Sequence, residues 1–298
     1  MFKYKSPQEA AAAGDLEELK NMHLGGYKWS MWTPMVAAAN GHLDCLKYLH
    51  ETGCPWNQSV AEISAENGHL DCLQYCFENG SSWNEFTPMY AAKNGYLNCL
   101  RYAYENGCPW NEDTTRFAAG NGRLECLRYA HEHGCPWNEN TPMSAAAGGH
   151  LECLKYAHQH GCPWNKNTIE NAAWNGHLSC LRYAHKNGCP WNKEILIYAV
   201  YSNEINCFKY CFEHWNSTQE FWNINNIDLS QIIDSIDLDD AIWRRLINEK
   251  INLSKHPNLE LKVQSKKQEI HNLKVECKNV LETFLPLDVI KYCIHIYI

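Results

Sequence analysis

Residues 40–48 read Asn40-Gly41-His42-Leu43-Asp44-Cys45-Leu46-Lys47-Tyr48. The pattern returns from Asn67, Asn94, Asn121, Gly148 and Asn175, and in worn form from Ser202, always 27 residues on. An earlier copy, Ala13-Gly14-Asp15-Leu16, stands one step before it. A second block keeps the same step: Gly53-Cys54-Pro55-Trp56-Asn57 recurs from Gly107, Gly134, Gly161 and Gly188, with Gly80-Ser81-Ser82-Trp83-Asn84 as a variant. Self-similarity at a fixed period of this size marks a repeat architecture. The repeats begin at Ser6, Thr33, Val60, Thr87, Thr114, Thr141, Thr168 and Ile195, which predicts an all-α solenoid of about eight helix–turn–helix units over residues 6–216.

Each repeat predicts two helices. Thr33-Pro34 reads as an N-cap followed by proline at the first helical position, and Ser6-Pro7, Thr87-Pro88 and Thr141-Pro142 repeat the signal. Paired alanines, such as Ala37-Ala38 and Ala91-Ala92, make the first helix slim enough for close neighbours. Asn40-Gly41 supplies the left-handed residue that stops it. The second helix is expected from Leu43 to Glu51, ending at Gly53, with Leu43, Leu46 and Leu49 as its apolar stripe. Glu125 with Arg128 and Glu152 with Lys155 are spaced as surface pairs. Stacking must bury what one short repeat cannot. Seven tryptophans in register, from Trp29 and Trp56 to Trp191, are expected to be the main buried spine.

These residues resemble ankyrin repeats. Thr33-Pro34-Met35 stands for the family's Thr-Pro-Leu, Ala37-Ala38 for its paired alanines, Asn40-Gly41-His42-Leu43 for its Gly-His turn, and Gly53-Cys54-Pro55-Trp56-Asn57 for its Gly-Ala-Asp-Val-Asn. The short step with Cys-Pro-Trp-Asn is similar to ankyrin-like proteins of giant DNA viruses of amoebae. The resemblance implies a protein–protein interaction scaffold without catalysis, and with the viral likeness a host protein as partner. Two features depart from the family. Six residues are missing between Asn57 and the next repeat, where ankyrin repeats build a β-hairpin finger. The histidine after Thr-Pro-Leu is replaced by Val36, Tyr90 and Ser144.

Composition narrows the function. The chain has 298 residues and a formal charge of -8, which disfavours nucleic acid as partner. No long apolar run predicts a membrane span, and the N-terminal residues lack the apolar core of a signal peptide. The 16 cysteines are therefore expected as reduced thiols in a cytoplasmic setting. They form two ladders, one through Cys45 and Cys72, the other through Cys54 and Cys108. With His42, His69, His150 and His177 they invite a metal array, yet Tyr96 and Arg123 hold the histidine position elsewhere, and arginine is no ligand. Small buried hydrophobes explain the ladders better. His131, His158 and His185 share one position and read as helix surface. The base–tyrosine ladder Lys47-Tyr48, Arg101-Tyr102, Arg128-Tyr129 suggests an RNA reader, but bases such as Lys47 and Arg128 have an acid one turn back, Asp44 and Glu125, and each tyrosine has an apolar setting. No phosphate loop, nucleophile elbow or zinc helix is present, so no catalytic residue, cofactor or metal is expected.

Binding is expected where the repeats differ from one another. The varying columns lie on the first helix and the turn before it, and Phe86, Tyr90, Lys93, Arg116, Phe117, Trp174 and Tyr201 are the candidate protein-binding residues. After about Trp215 the rhythm fails, and residues 217–298 are expected as a small helical C-terminal module. It contains a helix near Ile242–Ile251 and a seam of Ile270, Leu273, Cys277, Val280 and Phe284. Residues 285–298 are weakly similar to the first helix of an F-box, which implies recruitment of a cullin-type ubiquitin-ligase subunit. The competing reading is an apolar helix that caps the solenoid.

Overall fold

A computed structural model describes residues 2–192, 195, 198–199, 205–214, 264–265, 268 and 271–272. The described residues contain fifteen helices and no strand. The chain divides into two compact units, Met1–Asn192 and Lys193–Ile298. In the second, the helix Ile205–His214 buries Cys207, Phe208, Tyr210 and Cys211. The expected boundary at 216–217, Tyr201, the helix near 242–251, the apolar seam Ile270–Phe284 and the F-box-like stretch 285–298 lie outside the described residues.

The first unit is seven helix pairs in two layers. The first helices are α1 (Pro7–Ala12), α3 (Trp32–Ala39), α5 (Gln58–Glu66), α7 (Phe86–Asn94), α9 (Glu112–Gly120), α11 (Asn140–Ala147) and α13 (Lys166–Trp174). The second helices are α2 (Leu16–Leu24), α4 (Leu43–Glu51), α6 (Leu70–Glu78), α8 (Leu97–Glu105), α10 (Leu124–Glu132), α12 (Leu151–Gln159) and α14 (Leu178–Lys186). Each first helix packs on its own second helix and on the first helices of the neighbouring repeats. This is the helix–turn–helix solenoid the period predicts.

Both stops work as the glycines require. After α3, Gly41 adopts φ 73°. Its N–H donates to Ala38 O at 3.2 Å, and the His42 N–H donates to Ala37 O at 2.9 Å. Those two bonds make a Schellman turn, which satisfies the last carbonyls of the helix. Gly53 closes α4 the same way, with the Cys54 N–H on Leu49 O at 2.9 Å.

The starts differ from expectation. Ser6 does cap α1, accepting from the Glu9 N–H, with Pro7 at the first position. In the other Thr-Pro repeats the helix begins earlier: Thr33, Thr87 and Thr141 sit buried inside its first turn. The capping side chain is the asparagine that closes Cys-Pro-Trp-Asn. Oδ1 of Asn57, Asn111 and Asn165 accepts from the N–H two residues on, at 2.9–3.0 Å. Asn84 and Asn138 do the same for Phe86 and Asn140. Asparagine ranks above threonine as a cap, and the threonine methyl is better spent in the packed face.

The core is finer-grained than a tryptophan spine. Leu46, Leu73, Leu100, Leu127, Leu154 and Leu181 are fully buried, as are the paired alanines and the Cys45 ladder. Each buried leucine contributes about 1.5–3 kcal/mol. Leu43 is only half-buried. The seven tryptophans in register are half-buried too. Each sits after the second glycine stop, outside both helices, so its ring can cover the edge of the leucine layer but not enter it.

Candidate interaction surface

The first helices place the varying columns together on one side of the unit. On α7, Phe86, Tyr90 and Lys93 fall at spacings of four and three and share a face. The Phe86 and Tyr90 rings are 6.3 Å apart, and the Lys93 ammonium lies 5.9 Å over the Tyr90 ring. On the adjoining α9, the Arg116 guanidinium lies 4.2 Å over the Phe117 ring while its Nε holds Asp113 at 2.8 Å. Trp174 ends α13, two repeats further on. Exposure sorts these residues. Phe86 is 42% and Trp174 48% exposed, whereas Tyr90 and Phe117 are half-buried between neighbouring first helices. Trp32, in the Phe86 column, is 60% exposed and belongs with the candidates. Its signal was legible: large apolar residues recur in a column that elsewhere holds serine, aspartate and asparagine.

The histidine and cysteine ladders join repeat to repeat. Nε2 of His42, His69 and His177 lies 3.0 Å from the carbonyl oxygens of Ala12, Ala39 and Ala147, each the last residue of the preceding repeat's first helix. Arg123 takes that place with an Nε donor, 3.3 Å from Lys93 O. The position selects an N–H donor to an orphan helix-end carbonyl, which is why arginine serves. The fourteen described cysteines are free and buried, and burial pushes up thiols such as those of Cys45, to about 11, and Cys99, to about 12. In the second ladder, Sγ of Cys108, Cys135, Cys162 and Cys189 donates at 3.2–3.3 Å to the carbonyl of the capping asparagine one repeat back. Among the described residues no three His, Cys, Asp or Glu side chains converge as a metal set, and no helix is long and apolar enough to cross a membrane.

The other histidine position is not plain helix surface. Nδ1 of His23, His50, His131 and His158 lies 2.9–3.0 Å from the tyrosine hydroxyl of the next repeat: Tyr48, Tyr75, Tyr156 and Tyr183. The same imidazole stacks on its repeat's tryptophan, with centroids 3.9 Å apart for His131–Trp137 and His158–Trp164. Phe77 and Tyr104 keep the stacking where histidine is absent. The bases of the supposed RNA ladder are used locally. Arg101 and Arg128 lie over the rings of Tyr129 and Tyr156, at 5.4 and 5.5 Å. Arg128 thus makes the ring contact and not the expected pair with Glu125, whereas Lys155 does hold Glu152 at 2.8 Å.

Paired helices, paired glycine stops and repeat-to-repeat bonds at one constant step agree with a match to the family described as ankyrin repeats, in three copies, over residues 34–115 and 88–168. Over residues 34–168 the chain is therefore similar to ankyrin repeats. An ankyrin array is a scaffold for protein–protein interaction. No curated protein matches the chain. Among solved structures, the ankyrin repeat domain of human ASB11 is similar at 19% identity and a TM-score of 0.47, over 54% of this chain and 85% of that one. Between the ankyrin helix pairs described here, the connection from Trp56 to α5 is one capping asparagine, with no hairpin finger.

Proposed function

We propose that this chain is a non-catalytic binding scaffold whose first-helix face holds a protein partner. The observation that carries the reading is the exposure of Trp32, Phe86 and Trp174 on helices whose repeated positions are otherwise buried. Large aromatics left open at the centre of a face are the usual anchors of a protein interface. Lys93 and Arg116, held against Tyr90 and Phe117, would supply the polar surround. Tyr201, one step of the repeat beyond Trp174 in sequence, lies outside the described residues.

Affinity capture with the full chain beside Phe86→Ala/Trp174→Ala tests this. Both residues are exposed enough for the variant to keep its melting temperature. A partner lost from the variant supports the face. An unchanged set of captured proteins removes it.

A further inference from the structure

The edge of the array opposite the first-helix turn carries a second pattern. Each Cys-Pro-Trp-Asn loop leaves its proline exposed and its tryptophan half-buried; the Trp137 and Trp164 indoles stack on a histidine and meet the next repeat's tyrosine edge-on. The indole N–H of Trp29 donates to Thr52 Oγ1 at 3.1 Å. Those of Trp83, Trp110 and Trp137 meet no acceptor among the described residues, and none is buried. The side-chain NH2 groups of Asn111 and Asn138, beside two of these indoles, have no partner there either. The loops at Trp110-Asn111 and Trp137-Asn138 therefore each offer two donors beside an aromatic ring, whereas the Asn84 amide donates to Glu62 Oε1 at 3.1 Å.

Two rows of carboxylates flank the loops. One row ends the second helices: Glu51, Glu78, Glu105 and Glu132, all exposed. Each is close enough to the next repeat's tyrosine to add to the effect of burial in raising its hydroxyl, Glu51 for Tyr75 and Glu132 for Tyr156. The second row opens the first helices. Glu85, Glu112 and Glu139 act likewise, after burial, on the loop thiols of Cys108, Cys135 and Cys162. Arg101 and Arg128 are set over tyrosine rings, and among the described residues none of these carboxylates is in an ion pair. Between α10 and α12 lies an open cleft of about 380 Å³ whose wall carries Glu132, Glu152, Tyr156 and His160 together with Arg128 and Lys155. Both rows change character at the same place. The first continues as Gln159 and Lys186, the second as Lys166.

We infer that the loop edge of the third to sixth repeats holds an extended basic segment of a partner protein, with lysine or arginine at every third residue. Cations beside the half-exposed indoles, between carboxylates, satisfy both features at once. The free indole and asparagine donors match the carbonyls of an extended chain, which has no other use for them. The pitch agrees as well. Packed helices stand about 8–10 Å apart, and three residues of a polyproline-type chain rise about 9 Å. Glu78, Glu105 and Glu132 end second helices, whereas Phe86 and Trp174 lie on first helices, so either reading can fail alone.

The probe is a labelled peptide of five Lys-Pro-Ser triplets, followed by fluorescence anisotropy with the full chain at about 20 mM salt, where the Debye length is still long. Binding is expected, weakening with salt. Glu78→Gln/Glu105→Gln/Glu132→Gln, which changes only exposed side chains, should weaken it about tenfold or more. Glu105→Lys alone should do so if the triple variant melts early. No binding by the wild type overturns the inference. So does equal binding by the glutamine variant, or by a peptide of the same composition with its lysines contiguous.

Discussion

Nδ1 of His131 lies 2.9 Å from the hydroxyl of Tyr156, one repeat further on. Trp137 stacks on the same imidazole at 3.9 Å. One side chain thus ties its own loop to the neighbouring second helix. Removing the hydroxyl in Tyr156→Phe should cost about 1 kcal/mol. The same change made in His131→Phe should cost clearly less, a coupling of about 0.5–1 kcal/mol. Phe77 and Tyr104 show that an aromatic at this position keeps the stacking. Urea unfolding of the four proteins measures the cycle, and strictly additive losses would remove the bond from the account.

Stability should fall as the solution is acidified, before any carboxylate titrates. Burial, and then the nearby His160, hold His131 below the ordinary histidine value despite Glu132. Burial, then His177 and Arg123, do the same for His150. Between the depressed folded value and about 6.5 the unfolded chain binds more protons, so stability rises with pH there. The contribution is complete above about pH 6.5 and is lost as pH drops through the folded values. Melting temperatures from about pH 7.5 to about pH 5 should show this slope. His150→Tyr should flatten it, since Tyr96 fills the same position in an earlier repeat.

What the sequence showed depends on how locally each feature is determined. The helix pairs and both stops were readable because a glycine with positive φ, such as Gly41 or Gly53, imposes a turn by itself. The candidate face was readable as variation between repeats, and exposure then divided it, leaving Tyr90 and Phe117 half-covered. The tryptophans were misplaced for a physical reason. Register says that Trp56 and Trp83 are equivalent, not how deep they lie, and depth follows from their place on a loop beyond the helix. Of the loop edge, the row Glu85, Glu112 and Glu139, which turns to Lys166 and Lys193, was readable from register as a hint of a polar partner. The bond from His131 to Tyr156 was not, because it forms only when one repeat stacks on the next.

Thiol chemistry should be muted. The cysteine ladders are fully shielded, and burial pushes Cys72, Cys135 and Cys180 up to about 12. At neutral pH almost none is thiolate, the form that reacts. Iodoacetamide applied to the native chain should leave Cys45 through Cys189 unlabelled in a peptide map, and urea should expose them together. Rapid native labelling of Cys108 or Cys135 would show that the loop edge opens far more readily than its packing implies.

Two glycine substitutions separate backbone strain from steric fit. Gly122 and Gly134 both hold positive φ, at 71° and 80°. Alanine at either must adopt the left-handed region, at a cost of about 1–2 kcal/mol. Their surroundings differ. A Cβ on Gly134 would meet nothing within 4 Å. On Gly122 it would stand 2.5 Å from His150 Nδ1, the ring that closes over this turn from the next repeat. That ring cannot retreat without leaving its packed place, and overpacking of this kind costs about 1–3 kcal/mol more. Gly122→Ala should therefore unfold at distinctly lower urea than Gly134→Ala, and His150→Ala should recover part of the difference. Equal midpoints for the two alanine variants would mean that the histidine ring is not what closes one repeat onto the next.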